Sequence, residues 1–302
     1  MAIPRRSRLL ARRQPADTDG TMSLVEHLRE LRNRIGLALI GILLGMVAAF
    51  IWYDNGLLQF LIRPYCGLDP SLRISVNTTE DCQLLTFDVL GQFMLRLKVA
   101  FIVGMVLAAP WWLYQLWAFI TPGLKRNEKR YAITFVVISS FLFIAGAAMA
   151  YLTLSAGLRL LLSIGGEEIT AALGAAEYIS FLSALLLAFG VSFELPLVAV
   201  MLNIVGILSH ELLSRSRRWI IFLTFVFAAF VTPTQDPFTM LAMAVPMCIL
   251  FEGAIQFCRF NDKRRAARDA ELGFHHIDDD EASPLDASPS PLADEPLDDA
   301  KT

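Results

Sequence analysis

Six long apolar runs, at about residues 35–52, 99–119, 131–154, 178–204, 219–231 and 238–257, leave this chain few ways to fold. Of its 302 residues 55% are hydrophobic, more than a soluble domain of this size carries. An α-helix rises ~1.5 Å per residue, so about 20 residues cross a hydrocarbon core ~30 Å thick. The expected fold is an all-α polytopic membrane protein with six transmembrane helices. The fifth run, with thirteen residues, spans only ~20 Å as a helix. Either flanking polar residues snorkel to make up the length, or the bilayer thins or a concave pocket forms beside it.

The net charge of -3 hides a strong segregation. Arg5, Arg6, Arg8, Arg12 and Arg13 precede the first run, and the segments at 125–130, 215–218 and 259–268 are also basic. The loops at 54–86, 155–177 and 232–237 carry only Arg63, Arg73 and Arg159. Basic loops stay on the cytoplasmic side, so both termini are expected there. Neither charged end requires nucleic acid. A cleaved signal peptide is a poor reading of the front, because its apolar run begins late and five more follow. The chain divides into a basic extension (1–21), a six-helix membrane domain (22–260) and a polar acidic, Pro-rich tail (261–302), expected to be disordered.

The first run is entered through Glu26-His27-Leu28-Arg29-Glu30-Leu31-Arg32-Asn33-Arg34-Ile35. Leu24, Leu28, Leu31 and Ile35 form one helical stripe, and Glu30 precedes Arg34 by four residues, the favourable order for an ion pair. Trp52 and Tyr53 mark the far interface. Arg96 and Lys98 read as a snorkelling pair near the outer surface. Pro110 should bend the second span, which exits through Trp111, Trp112, Tyr114 and Trp117. Glu194 lies mid-span, where an acid is expensive; it is either a functional group facing protein or water, or a protonated helix-to-helix glue. Pro246, Glu252 and Gln256 interrupt the sixth run. Cys66 and Cys82 share an outer loop that permits a disulfide as readily as two thiols, whereas Cys248 and Cys258 read as packing residues. No metal-ligand spacing, cofactor motif or nucleophile–base spacing appears, which argues against an enzyme. A secondary transporter would show internal repeats, and residues 31–150 and 151–258 are not self-similar.

The collar resembles the opening signature of the TatC family, the C subunit of the twin-arginine translocase. So does Ala109-Pro110 with Tyr114-Gln115-Leu116-Trp117-Ala118-Phe119-Ile120-Thr121-Pro122-Gly123-Leu124 and Glu128. Ala188-Phe189-Gly190-Val191-Ser192-Phe193-Glu194-Leu195-Pro196, the Thr232-Pro233…Asp236 turn and Pro246-Met247…Phe251-Glu252 extend the match over about 22–260. Lys125, where the family often has an aromatic, and the two charged ends depart from the pattern. The resemblance implies a receptor in the bacterial cytoplasmic membrane for export signals bearing two arginines. It would work with small single-span TatA- and TatB-type subunits and with further copies of itself. Driven by the proton-motive force, it would move folded proteins. By the same resemblance Glu30, Glu128, His27, Arg32 and Phe119 would bind the signal peptide. Glu194 and Gln115 would form the intramembrane polar contact with a partner helix, and Pro64, Pro110, Pro122, Pro196 and Asp236 would be structural.

The charge alternation predicts that reporters fused after residues 70, 165 and 235 read as external and those after 126, 212 and 265 as cytoplasmic. A cytoplasmic signal at 165 would sink the six-span arrangement.

Overall fold

The computed structural model describes residues 24–68, 86, 89–120, 129–163, 174–233 and 236–271. Nine α-helices are present among them: α1 (Leu24–Trp52), α2 (Leu57–Cys66), α3 (Gly91–Leu107), α4 (Ala109–Ile120), α5 (Lys129–Ser163), α6 (Ala175–Val205), α7 (His210–Arg215), α8 (Arg217–Val231) and α9 (Pro237–Glu271). α1, α5, α6 and α9 are each long and apolar enough to cross a membrane; α3 and α4 form one crossing bent by 58°. With the 15-residue α8 these make the six expected crossings.

The bend in the second crossing has a local cause. Pro110 carries no amide hydrogen and its ring collides with the preceding turn, so α3 stops at Leu107. The Ala108 amide still bonds the Gly104 carbonyl at 2.9 Å, and the Trp111 and Trp112 amides bond the Ala108 carbonyl at 2.9 and 3.1 Å. Pro246 sits inside the continuous α9 instead of interrupting it.

Two segments fold where the sequence reading expected none. Residues 57–66, read as polar loop, are helix α2, because Leu57, Leu61 and Tyr65 bury one face. Pro64 within it cannot bond the Phe60 carbonyl, and the Tyr151 hydroxyl donates to that oxygen instead, at 2.6 Å. The Tyr178 hydroxyl donates to the Leu61 carbonyl at 2.7 Å. At the other end α9 continues to Glu271, so residues 261–271 are helical, not disordered tail. The reason is a polar clasp. Asp262 accepts from Asn203 Nδ2 at 2.9 Å and from the His210 amide at 2.7 Å, and Asn261 donates to Asn203 Oδ1 at 3.0 Å. Residues 272–302 lie outside the described residues.

Arg96 and Lys98 do not snorkel freely. Arg96 donates to the Phe50 carbonyl at 3.0 Å and to Asp54 at 2.7 Å, with its guanidinium over the Phe50 ring. Lys98 donates to the Ser180 hydroxyl at 2.7 Å. Cys66 is disulfide-bonded, while Cys248 and Cys258 are free; Cys82 lies outside the described residues.

Lipid tails are as apolar as leucine, so membrane helices associate through close packing of small residues. Here α1 meets α3 at Gly45 and Gly104: a Cβ on Gly104 would lie 2.4 Å from the Met46 amide nitrogen. α5 meets α6 at Gly146, whose added Cβ would lie 2.6 Å from the Phe189 carbonyl oxygen. Around these crossings Phe143, Ala150, Leu154, Tyr178, Leu185 and Phe189 are fully buried. The outer face of α1, including Leu39, Leu43, Leu44, Val47 and Ile51, is exposed, as a lipid-facing helix requires.

Gly104→Val should therefore force the α1–α3 crossing apart and cost about 1–3 kcal/mol. Gly36→Ala, which meets nothing within 4 Å, should be tolerated. Thermal unfolding of the two variants in detergent tests the contrast; equal melting temperatures would contradict the close crossing.

Candidate functional site

Two polar groupings stand out, one at the collar and one inside the helix bundle, and α4 links them. At the collar Glu30 accepts from Arg34 through Nε at 2.8 Å and Nη2 at 2.6 Å, both bonds converging on Oε1. Both side chains are about three-quarters buried, so this pair is better shielded than an ordinary surface bridge. The His27 ring stacks on Phe119, the penultimate residue of α4, with centroids 4.5 Å apart and planes 19° from parallel. The Trp111 indole donates to the Leu37 carbonyl at 2.8 Å, pinning the start of α4 to α1. Gly41 makes room for that indole: a Cβ there would lie 2.1 Å from Trp111 Cδ1. The start of α1 and the end of α4 are thus held side by side.

Within the collar's apolar stripe Leu28 and Ile35 are exposed, and Leu31 is half-buried. Arg32 is also exposed and reaches Asn33 Oδ1 at 3.5 Å. Glu128 and Pro122 lie outside the described residues. The structure therefore brings His27 and Phe119 together, with Glu30 three residues on in α1 held by Arg34, and leaves Arg32 exposed.

Inside the bundle Glu194 is 8% exposed. Its Oε2 accepts from the Ser139 hydroxyl at 2.6 Å, and Ser139 Oγ accepts from the Trp117 indole at 2.8 Å. Three helices, α4, α5 and α6, each supply one member of this chain. Trp117 and Phe119 lie two residues apart on α4, so the helix that touches the collar also touches the group on Glu194. Gln115 is buried one half-turn away. Pro196 lies inside α6 just beyond Glu194.

Asp236 is placed as a cap, not as an isolated acid. Its Oδ1 accepts from the Thr239 amide at 2.8 Å, and its Oδ2 accepts from the Thr239 hydroxyl, which satisfies buried donors at the start of α9. Arg217 pairs with Glu252 across α8 and α9. Among the described residues no three His, Cys, Asp or Glu side chains gather as a metal-binding set. The sequence reading missed Ser139 and Trp117 as partners of Glu194. The signal was a serine pair, Ser139-Ser140, near the middle of a largely apolar run.

Known proteins agree with this architecture. The family model described as "Sec-independent protein translocase protein (TatC)" matches residues 26–246. A relative named Sec-independent protein translocase protein TatC, from Frankia casuarinae, is 47% identical over 96% of this chain and 82% of its own length. A second of that name, from Corynebacterium kroppenstedtii, is 41% identical over 94% of this chain and 72% of its own length. A crystal structure of the twin-arginine translocase receptor TatC in DDM superposes with a TM-score of 0.61 at 33% identity, covering 77% of this chain and 99% of that one. With six apolar crossings, the TatC motifs in order and relatives along nearly its whole length, the chain belongs to the TatC family of Sec-independent protein translocase proteins, multi-pass membrane subunits of a protein transport system and not enzymes.

Proposed function

We propose that this chain is the receptor and core subunit of a twin-arginine export machinery, reading two adjacent arginines of a signal peptide at its collar. The observation that carries the reading is the Glu30 carboxylate, partly shielded and already holding a guanidinium, that of Arg34. A guanidinium is always charged and offers planar paired donors that an ammonium cannot copy. A signal arginine would take the place of Arg34 on Glu30, with Glu128 reading its neighbour. The His27–Phe119 stack supports this by keeping the collar against the end of α4, just before the segment that carries Glu128. Arg32, exposed beside them, would contact the peptide backbone or its polar flank.

In the same reading the collar faces the cytoplasm, with both termini. Single-span TatA- and TatB-type subunits and further copies of this chain pack around the bundle, and Glu194 with Gln115 meets a partner helix. The proton-motive force drives folded cargo across. These roles rest on the family's chemistry and on the residue positions described above.

Losing one carboxylate that bonds a guanidinium should cost ~1.5–3 kcal/mol where the pair is shielded and less where it is exposed. At ~1.4 kcal/mol per decade, Glu30→Ala and Glu128→Ala should each weaken binding of a twin-arginine peptide about tenfold. Neither should much change binding of the same peptide with both arginines replaced by lysines. A double-mutant cycle over receptor and peptide reads the coupling directly. Equal losses for both peptides would make the carboxylates structural, with Glu30 serving only to hold Arg34.

A further inference from the structure

The hydrogen-bond chain on Glu194 has a fixed sense. An indole N–H can only donate, so Ser139 Oγ must accept from Trp117. The hydroxyl hydrogen of Ser139 is then turned toward Glu194, where Oε2 lies 2.6 Å away. Oε2 is held as an acceptor, and a proton on it would reverse that bond and leave the Ser139 hydrogen without its acceptor. Any proton on Glu194 therefore resides on Oε1. Ser139 is fully buried and Trp117 is 1% exposed, so neither water nor a change of rotamer readily releases the arrangement.

Oε1 has no hydrogen-bond partner and is buried. A buried polar atom left unpaired is costly, and in hydrocarbon no water competes for it. Among the described residues the other two such atoms are Arg96 Nε and His210 Nδ1. Arg96 lies beside the end of α1 and His210 begins a short helix after α6, so neither sits within a long apolar run. Glu194 as a residue keeps 8% of its surface exposed, while Oε1 itself is buried.

We propose that Ser139, held by Trp117, is the positioning residue for Glu194. It fixes Oε2 and leaves Oε1 as the one carboxyl atom that exchanges a hydrogen bond with a polar side chain of a docking transmembrane helix. When protonated, Oε1 donates to that side chain; when charged, it accepts from it. The inference deepens the reading of Glu194 as a partner contact and rests on it. It assigns to Ser139 and Trp117 a role in orienting the carboxyl that the contact alone does not supply.

The test uses the full-length chain co-expressed with TatA- and TatB-type subunits from the same genome. Infrared difference spectra identify the Glu194 carboxyl band by its loss in Glu194→Gln. Ser139→Ala should shift that band to higher frequency, and Ser139→Thr, which keeps the hydroxyl, should restore it. Recovery of the single-span subunits with the purified chain should fall about fivefold in Ser139→Ala, the effect of about one hydrogen bond, and return in Ser139→Thr. Binding of a twin-arginine peptide at the collar should be unchanged in both. A band unmoved by Ser139→Ala, or equal losses in the two serine variants with matched thermal stability, overturns the proposal. If Glu194→Ala leaves subunit recovery intact, the partner contact itself fails, and the infrared band alone then decides whether Ser139 orients the carboxyl.

Discussion

Inside hydrocarbon no water takes up a spare donor or acceptor, and this protein closes the gaps in its helices with side chains from other helices. The Phe60 carbonyl, deprived of its bond by Pro64, receives the Tyr151 hydroxyl. The Phe50 carbonyl, near the end of α1, receives Arg96. The Leu37 carbonyl receives the Trp111 indole, and the Met105 carbonyl, next to the break at Ala108, receives the Trp112 indole at 3.1 Å. Each donor comes from a long amphipathic side chain whose body packs while its tip bonds. The irregularities that make room for a site are stabilised in this way, not merely tolerated.

The same rule explains how the collar and the intramembrane acid share a helix. α4 is short because Pro110 starts it afresh, and it is rich in tryptophan. Trp111 faces α1, Trp112 reaches back to α3 and stands edge-on to Phe143 of α5 at 5.3 Å, and Trp117 faces α5. One twelve-residue element therefore touches three neighbours through indoles. Gly41 of α1 leaves the space that the Trp111 indole fills.

Much of this was legible in the sequence. Apolar runs and basic loops give the number and order of crossings, Pro110 gives the broken one, and Glu30 with Arg34 gives a local pair that the structure contains. Those features are periodic or local, and local spacing determines them. The clasp of Asn203, Asp262 and the His210 amide was not legible, since Asp262 lies 59 residues from Asn203 and 52 from His210 and each alone reads as a solvated polar residue. Helix α2 was hidden because its polar neighbours outweighed three apolar positions that matter only once Tyr151 and Tyr178 stand opposite. Glu194 was visible as an acid in an apolar run, but the serine and tryptophan on it come from two other helices, and no one-dimensional pattern joins them.

The last described helix, α9, is gripped at two heights. Glu252 meets Arg217 of α8, and ten residues on, about 15 Å along the axis, Asp262 meets Asn203 and the start of α7. Ten residues turn a helix through nearly three revolutions, leaving the two grips roughly 80° apart around its circumference. Held on two sides at two levels, α9 is keyed like a shaft and cannot screw about its own axis without releasing both ends. Turning α9 would break its contacts with the α6 side and with the α8 side of the bundle together, so its rotation is coupled to both.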